Sequence, residues 1–444
     1  MDKDTLQGRV KRYTQVGYAA GKAAGKYAGK RILGLPFSDS AHAEELRQAL
    51  GGLKGPVMKV AQIMATVPDA LPPEYAKELA QLQADAPSMG WPFVKRRMKT
   101  ELGAGWQNLF ADFEHKATFA ASLGQVHRAV DHDGNVLACK LQYPDMASAV
   151  EADLRQLKIV FGLYHRYDKA IDPSQIHHEL SDRLREELDY DREARHMRLY
   201  ARMLKDESNI HTPEPKEDLS TSRLLCMTWL DGKPLLGFAE DNPEFRDQLA
   251  LNMFRAWYTP LYRYGVIHGD PHLGNYTVRP DGSLNLLDFG CIRVFKPGFV
   301  KGIIDLYHAL REDDRDLAVH AYESWGFDTP DQEVLDVLNR WARYIYTPLL
   351  EDKVRRIHDT DTGAYGAGMA AKVQRELNQL GGITPPREFV LVNRAAIGLG
   401  SVFMRIKAEV NWYRLFHDLI EDFDVDAMDK RQQKVLRKVG LAED

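Results

Sequence analysis

The run His268-Gly269-Asp270-Pro271-His272-Leu273-Gly274-Asn275 holds a carboxylate and an amide five residues apart. After a hairpin-like stretch comes Leu287-Asp288-Phe289-Gly290. Two carboxylates and an amide oxygen are hard donors, the kind that hold Mg²⁺ beside phosphate oxygens. Phosphoryl transfer asks little covalent chemistry of a protein. It needs positioned charge and a carboxylate next to the attacking hydroxyl or water. Asp270 is the candidate for that carboxylate, and Asn275 and Asp288 are the candidate metal ligands. His268 and His272 share one face only in a helix, which Gly269, Pro271 and Gly274 oppose. They therefore read as loop residues rather than transition-metal ligands, with His268 fixing the loop backbone.

The same order of Asp, Asn and Asp-Phe-Gly occurs in protein kinases, where an upstream strand lysine neutralises the α- and β-phosphates. Lys140, in Val136-Leu137-Ala138-Cys139-Lys140, fits that place. The glycine-rich nucleotide loop of kinases is replaced by Phe119-Ala120-Ala121-Ser122-Leu123-Gly124-Gln125-Val126-His127. Alanine methyl groups make such a loop stiffer than glycines would, which predicts altered nucleotide handling.

The elements that must position these groups follow from patterning. Trp91-Pro92 starts a helix that ends near Gly103. Gln125–Val130 and Val136–Tyr143 read as strands joined at Asp133-Gly134. Helices are expected at about 146–170 and 174–205, and a buried strand at 223–230. A helix over 243–264 precedes the hairpin 276–287, and everything after Pro297 reads as helical. Before residue 109, Pro68, Pro72 and Pro73 punctuate helices, one of them capped at Ser40. The order predicts an α+β fold, a small mixed sheet lobe followed by a large helical lobe. The expected divisions are a basic start at 1–37, a helical extension at 38–108, a sheet lobe at 109–230 and a helical lobe at 231–444.

The chain resembles the UbiB/ADCK-like family of atypical kinases. The resemblance is carried in order by Lys59-Val60-Ala61-Gln62, the Ala-rich segment with Ser122 to His127, Lys140 to Pro144, Glu187-Leu188-Asp189 with Arg192-Glu193-Ala194, and the two motifs above. Glu151-Ala152-Asp153 has the Glu-x-Asp spelling without the trailing residues and is set aside. Ala61 and Phe119 depart from the family pattern. The resemblance implies a bilobal protein-kinase-like fold that uses ATP or ADP and Mg²⁺. It implies that Lys140 pairs with Glu193, and that Lys59 of the extension, with Gln62 on the same helix face, interacts with Glu187 and Asp189. Ala120, Ala121, Ser122, Gly124, Met227 and Trp229 would line the nucleotide, the last two as the hinge. It also implies support of ubiquinone or other isoprenoid-lipid metabolism, with an isoprenoid lipid or quinone precursor as ligand and biosynthetic enzymes or a second copy as partners. Protein phosphorylation is not expected. A small-molecule or lipid kinase, or a nucleotide-dependent lipid-binding scaffold, would use the same residues.

Composition bounds this reading. Across 444 residues, 59 Lys and Arg against 64 Asp and Glu leave a net charge of −5. No nucleic-acid partner is expected from that balance. Cysteines at 139, 226 and 291 form no zinc-binding pair and fit a reducing compartment. No stretch approaches the ~18–20 apolar residues that span a bilayer, and no secretory signal is read at the start. The first 37 residues, however, carry +6, with Gly17, Gly21, Gly25 and Gly29 beside Lys22, Lys26 and Lys30. By itself this segment reads either as a flexible, solvated stretch weakened by its glycines or as a surface for anionic lipid; with the resemblance, the expectation is a cytoplasmic protein that touches an anionic inner-membrane surface through it.

Overall fold

In the computed structural model, the Pro92-led helix runs Trp91–Leu102 (α1) and stops at Gly103, whose φ is 86°. The structure describes residues 89–442 except 122, 144–145, 149, 152–153, 156–180, 183, 359–366 and 382–385. The readings on the basic start, the helical extension with Lys59 and Gln62, and Ser122 lie outside the described residues. Two units are found. One comprises Met1–Tyr190 and Lys216–Met227, the other Asp191–Pro215 and Thr228–Asp444.

The first unit is built on a five-stranded sheet. Its strands are β1 (Asp112–Phe113), β2 (Phe119–Ala121), β3 (Gly124–Val130) and β4 (Val136–Gln142). Strand β5 (Ile210–His211) belongs to the second unit, and β6 (Leu224–Thr228) completes this sheet in the order β1-β3-β4-β6 with β2 beside β3. The β3–β4 hairpin turns as its sequence predicts. Gly134 takes φ 83°, and the Asp131 carboxylate accepts from the N–H groups of Asp133 and Asn135. The Ala-rich segment is a hairpin strand rather than a loop, with Ala121 opposite Gly124. A Cβ at Gly124 would stand 2.3 Å from the Leu141 carbonyl oxygen, so glycine is what lets β3 lie against β4.

The core of this unit alternates inward along the strands. Leu137, Cys139 and Leu141 pack with Leu224 and Cys226 against Val94 and Met98 of α1. Phe113 meets Trp106 and Phe110 edge-on, with centroids 5.3 Å away in both pairs. Each such contact adds about 0.5–1.5 kcal/mol beyond area burial. Cys139 and Cys226 are free, buried neighbours with sulfurs 3.2 Å apart. The predicted helix 174–205 is interrupted. Helical residues 184–186 give way to a turn at Glu187-Leu188, and a new helix, α2, spans Tyr190–Met203.

The second unit holds a four-stranded sheet in the order β5-β10-β9-β7, made by β7 (Lys233–Pro234), β9 (Tyr276–Val278) and β10 (Leu284–Leu286) with β5. Between β7 and β9 lie α3 (Leu235–Asp241), α4 (Arg246–Tyr264) and β8 (Val266–His268). Strand β8 pairs antiparallel with β11 (Ile292–Val294). The helices that follow are α5 (Pro297–Glu312), α6 (Arg315–Ser324), α7 (Gln332–Tyr346), α8 (Ala367–Gln379), α9 (Arg387–Ile406), α10 (Trp412–Ile420) and α11 (Val425–Lys438). Asp314, Asp331, Asn411 and Asp424 cap α6, α7, α10 and α11 by accepting a backbone N–H in the first turn. Each cap is worth about 1 kcal/mol. Helix α4 ends on Gly265 in the left-handed region, and the Gln432 amide of α11 donates to Tyr264 O and Phe295 O there. This sets where β8 and the segment after it begin.

Candidate active site

The chain leaves β8 at His268 and turns through Asp270 to Asn275 within the second unit. The Asn275 amide nitrogen donates to the Asp270 carbonyl (3.0 Å) and to Asp270 Oδ2 (3.1 Å). Its Oδ1 stays outside these bonds. The Tyr276 hydroxyl donates to Pro271 O, and the Leu287 N–H donates to Asn275 O, joining the loop to the strand before Asp288. Burial raises the Tyr276 phenol pKa, with the Asp270 charge adding to it. Asp288 Oδ1 accepts from the Gly290 N–H at 3.0 Å, a turn that fixes the carboxylate.

His268 ties the two motifs together. Its Nδ1 accepts from the Asp270 N–H (3.2 Å), so the proton sits on Nε2, which donates to Asp288 O at 2.7 Å. The Trp257 indole donates to His268 O from α4. His268 thus fixes backbone, as its surroundings in sequence suggest. Gly269 donates to Cys291 O at 2.7 Å, and a Cβ there would stand 3.0 Å from Cys291 Sγ.

Phe289 is fully buried and stacks edge-on against Tyr200 of α2 at 5.5 Å. His196, also on α2, donates through Nδ1 to Phe289 O at 3.1 Å. Burial pushes His196 down to about 3, with the Arg192 charge acting the same way. It is therefore neutral at ordinary pH.

Lys140 lies on β4 in the first unit, opposite Val126. Its ammonium stands 5.3 Å from the Tyr190 ring centroid, a cation–π contact. Two residues on, the buried Gln142 donates to Leu188 O at 2.7 Å and so pins the turn that carries Glu187 and Asp189. Ala120 and Ala121 lie on β2, and Met227 is buried near the end of β6. One unit boundary falls directly after Met227. Trp229 follows it and donates to Asp231 Oδ1. Glu193 is buried in the first turn of α2, in the second unit. Gln125 and His127 form a buried relay. His127 Nδ1 donates to Glu114 O, and Gln125 donates to His127 Nε2 while Gln125 Oε1 accepts the Met89 N–H.

The donor set suits a hard divalent ion. Asn275 Oδ1 and the Asp288 carboxylate come from two side chains and offer at most three oxygens. Among the described residues no three His, Cys, Asp or Glu side chains gather as a metal site. Phosphate and water oxygens would have to complete the shell, which is the usual mode for Mg²⁺. Sequence reading missed three supports. Gln142 and His196 act through partners 46 and 93 positions away. The third is Gly398 of α9, where a Cβ would stand 2.4 Å from the Pro271 ring. Only the family spelling Gln-Tyr-Pro marked any of them beforehand.

Residues 81–322 match the ABC1 atypical kinase-like domain. The chain belongs to this family. ABC1-family relatives include the mitochondrial atypical kinase coq-8 of Caenorhabditis elegans, 25% identical over 87% of this chain and 52% of that protein. The mitochondrial atypical kinase COQ8B of Rattus norvegicus is 28% identical over 66% of this chain and 56% of its own length. The chloroplastic Activity of BC1 complex kinase 7 of Arabidopsis thaliana is 29% identical over 61% and 40%. The chain spans about half the length of these curated relatives. A solved structure, that of the Rv3197–erythromycin complex from Mycobacterium tuberculosis, superposes with a TM-score of 0.60 at 26% identity, covering 85% of this chain and 95% of that one. The α+β, kinase-like fold expected from the sequence is the one found. No helix among the described residues is long and apolar enough to cross a membrane.

Proposed function

We propose that this ABC1-family chain is a Mg²⁺-dependent ATPase of atypical kinase type that serves ubiquinone or other isoprenoid-lipid metabolism at a membrane surface. The observation that carries the reading is the joined cluster of Asp270, Asn275 and Asp288, held by His268. Asn275 and Asp288 would hold the ion, which when bound would neutralise charge on the phosphates. Asp270, steadied by the Asn275 amide, accepts the proton of the attacking water or hydroxyl. Lys140 places its charge on the phosphates of ATP or ADP, with Glu193 as its partner. Gly124 and the alanines of β2 cover the nucleotide, and Met227 and Trp229 flank the adenine. Lys59 and Gln62 engage Glu187 and Asp189, the turn that Gln142 pins, and so occupy the place of a protein substrate.

The basic first 37 residues supply peripheral contact with an anionic surface. Phosphate release from ATP should therefore rise with anionic liposomes, and liposome binding should fall as salt is added. Release that neither liposomes nor a quinone-precursor phenol stimulates would overturn the membrane coupling. Label transferred to an organic acceptor would replace the ATPase reading with a small-molecule kinase.

Gly398 offers a test of loop placement. Gly398→Leu should push Pro271 aside and displace Asp270 with it. A displacement of ~1 Å at a reacting group costs on the order of 10²-fold in rate. Turnover should fall by about that factor with nucleotide affinity within about threefold of wild type. Unchanged kcat would show that α9 does not position the loop.

A further inference from the structure

Helix α11 carries its charge unevenly. From residue 430 to 440 the chain holds Lys430, Arg431, Lys434, Arg437 and Lys438 and no acidic side chain. The whole chain has a net charge of −5, so this stretch runs against the general balance. Lys430, Lys434, Arg437 and Lys438 stand at i, i+4, i+7 and i+8, which places them on one helix face. All four are exposed. The opposite side, with Met428, Gln432, Val435, Leu436 and Val439, is buried. Asp426 lies in the first turn, where the helix dipole favours an acid, and Arg437 and Lys438 lie in the last, where it favours bases. Asp429 borders the cationic face. The dipole supplies no reason for Lys430, Arg431 and Lys434.

Elsewhere in the second unit basic side chains meet acids, as Lys301 meets Asp305, Arg343 meets Asp313 and Arg414 meets Asp352. Among the described residues none of the five α11 cations takes part in an ion pair. Lys430 and Lys434, and Lys434 and Lys438, are like-charge i,i+4 pairs, which weaken a helix. An anionic partner removes that repulsion. The face is also held in place. Gln432 donates to Tyr264 O and Phe295 O, and Arg431 donates to Arg263 O. Arg195 of α2 donates to Gly440 O just past the helix end. Arg263 and Arg195 thus bring two more cations to its edges.

We infer that this face of α11 is a docking surface for an anionic lipid bilayer. A bilayer surface is recognised by clustered Lys and Arg alone. Single-stranded nucleic acid asks in addition for aromatic side chains on which bases stack, and an acidic peptide for exposed anchors. Between 430 and 438 there is no aromatic residue, and the apolar Val435 and Leu436 are buried. The inference deepens the membrane-surface part of the proposed function, adding a second contact to that of the first 37 residues, and makes no use of the nucleotide site.

The test is cosedimentation of the full chain with vesicles of phosphatidylcholine alone and of equal parts phosphatidylcholine and phosphatidylglycerol. Each basic residue at an anionic surface strengthens binding about fivefold. Lys430→Gln/Lys434→Gln/Arg437→Gln/Lys438→Gln should therefore bind the anionic vesicles at least about 30-fold more weakly than wild type, and what binding is left should fall less steeply with salt. Its melting midpoint reports whether it is folded. Lys430→Arg/Lys434→Arg/Lys438→Arg keeps the charge and should bind as the wild type does. Lys22→Gln/Lys26→Gln/Lys30→Gln separates the two contacts. If that variant loses binding while the α11 glutamine variant keeps it, the inference fails and the contact through the first 37 residues stands. If the α11 variant loses binding and the other does not, the inference stands and the contact through the first 37 residues falls. Wild-type binding that is equal for the two vesicles, or absent from both, overturns the two together. Tighter binding of the wild type to duplex DNA or polyglutamate than to the anionic vesicles in the same buffer would overturn the choice of a bilayer as partner.

Discussion

Asp288→Asn is expected to weaken Mg²⁺–ATP binding by about two orders of magnitude or more, ~2.7 kcal/mol or above. The substitution keeps the side chain's size and an oxygen that can accept the Gly290 N–H. What it removes is one full negative charge from a site with only two side-chain ligands. An ion that depends on phosphate oxygens for the rest of its shell loses much of its protein-side attraction at once. The His268–Asp288 bond goes to the backbone carbonyl and is untouched, so the melting temperature should hold within ~2 °C, the shift of a sub-kilocalorie change. Nucleotide binding in EDTA, which does not use the ion, should be alike in wild type and variant. Titration calorimetry in both buffers reads the two effects separately. Equal Mg²⁺–ATP affinity in the two proteins would remove Asp288 from the metal site.

Asp270→Asn addresses turnover instead. General-base catalysis contributes typically about 10²–10⁴-fold, and kcat should drop within that range. Nucleotide affinity should barely change, because Asp270 is held by the Asn275 amide and the His268 imidazole, not by a candidate metal ligand's charge. The replacement amide can still accept from Asn275 Nδ2, so the loop geometry survives. Loss of kcat with unchanged affinity is the signature of a group that acts in the transition state. A fall in affinity equal to the fall in kcat would assign Asp270 to binding.

The candidate cluster can be read from the sequence because its residues are local. Asp270 and Asn275 share one turn, and a short hairpin brings Asp288 back beside them. Strand β4 was legible through its apolar run and the Asp133-Gly134 turn. The interruption at Glu187-Leu188 was not, because no glycine or proline marks it. Leu188 O accepts from Gln142 across 46 positions, and tertiary hydrogen bonding overrode the helical pattern. The Ala-rich segment read as a loop from composition alone, whereas pairing of Ala120 with Gln125 makes it a strand. Gly398 carries no motif in the sequence, and only the approach of Pro271 gives it a purpose.

The most direct measurement is inorganic phosphate release from ATP by the full chain, in magnesium and in EDTA, with Asp270→Asn beside the wild type. Release that requires magnesium and falls by about 10²-fold or more in the variant is the predicted result. Release that is as fast in EDTA, or undiminished in Asp270→Asn, would contradict a metal-dependent phosphoryl-transfer site built on Asp270, Asn275 and Asp288.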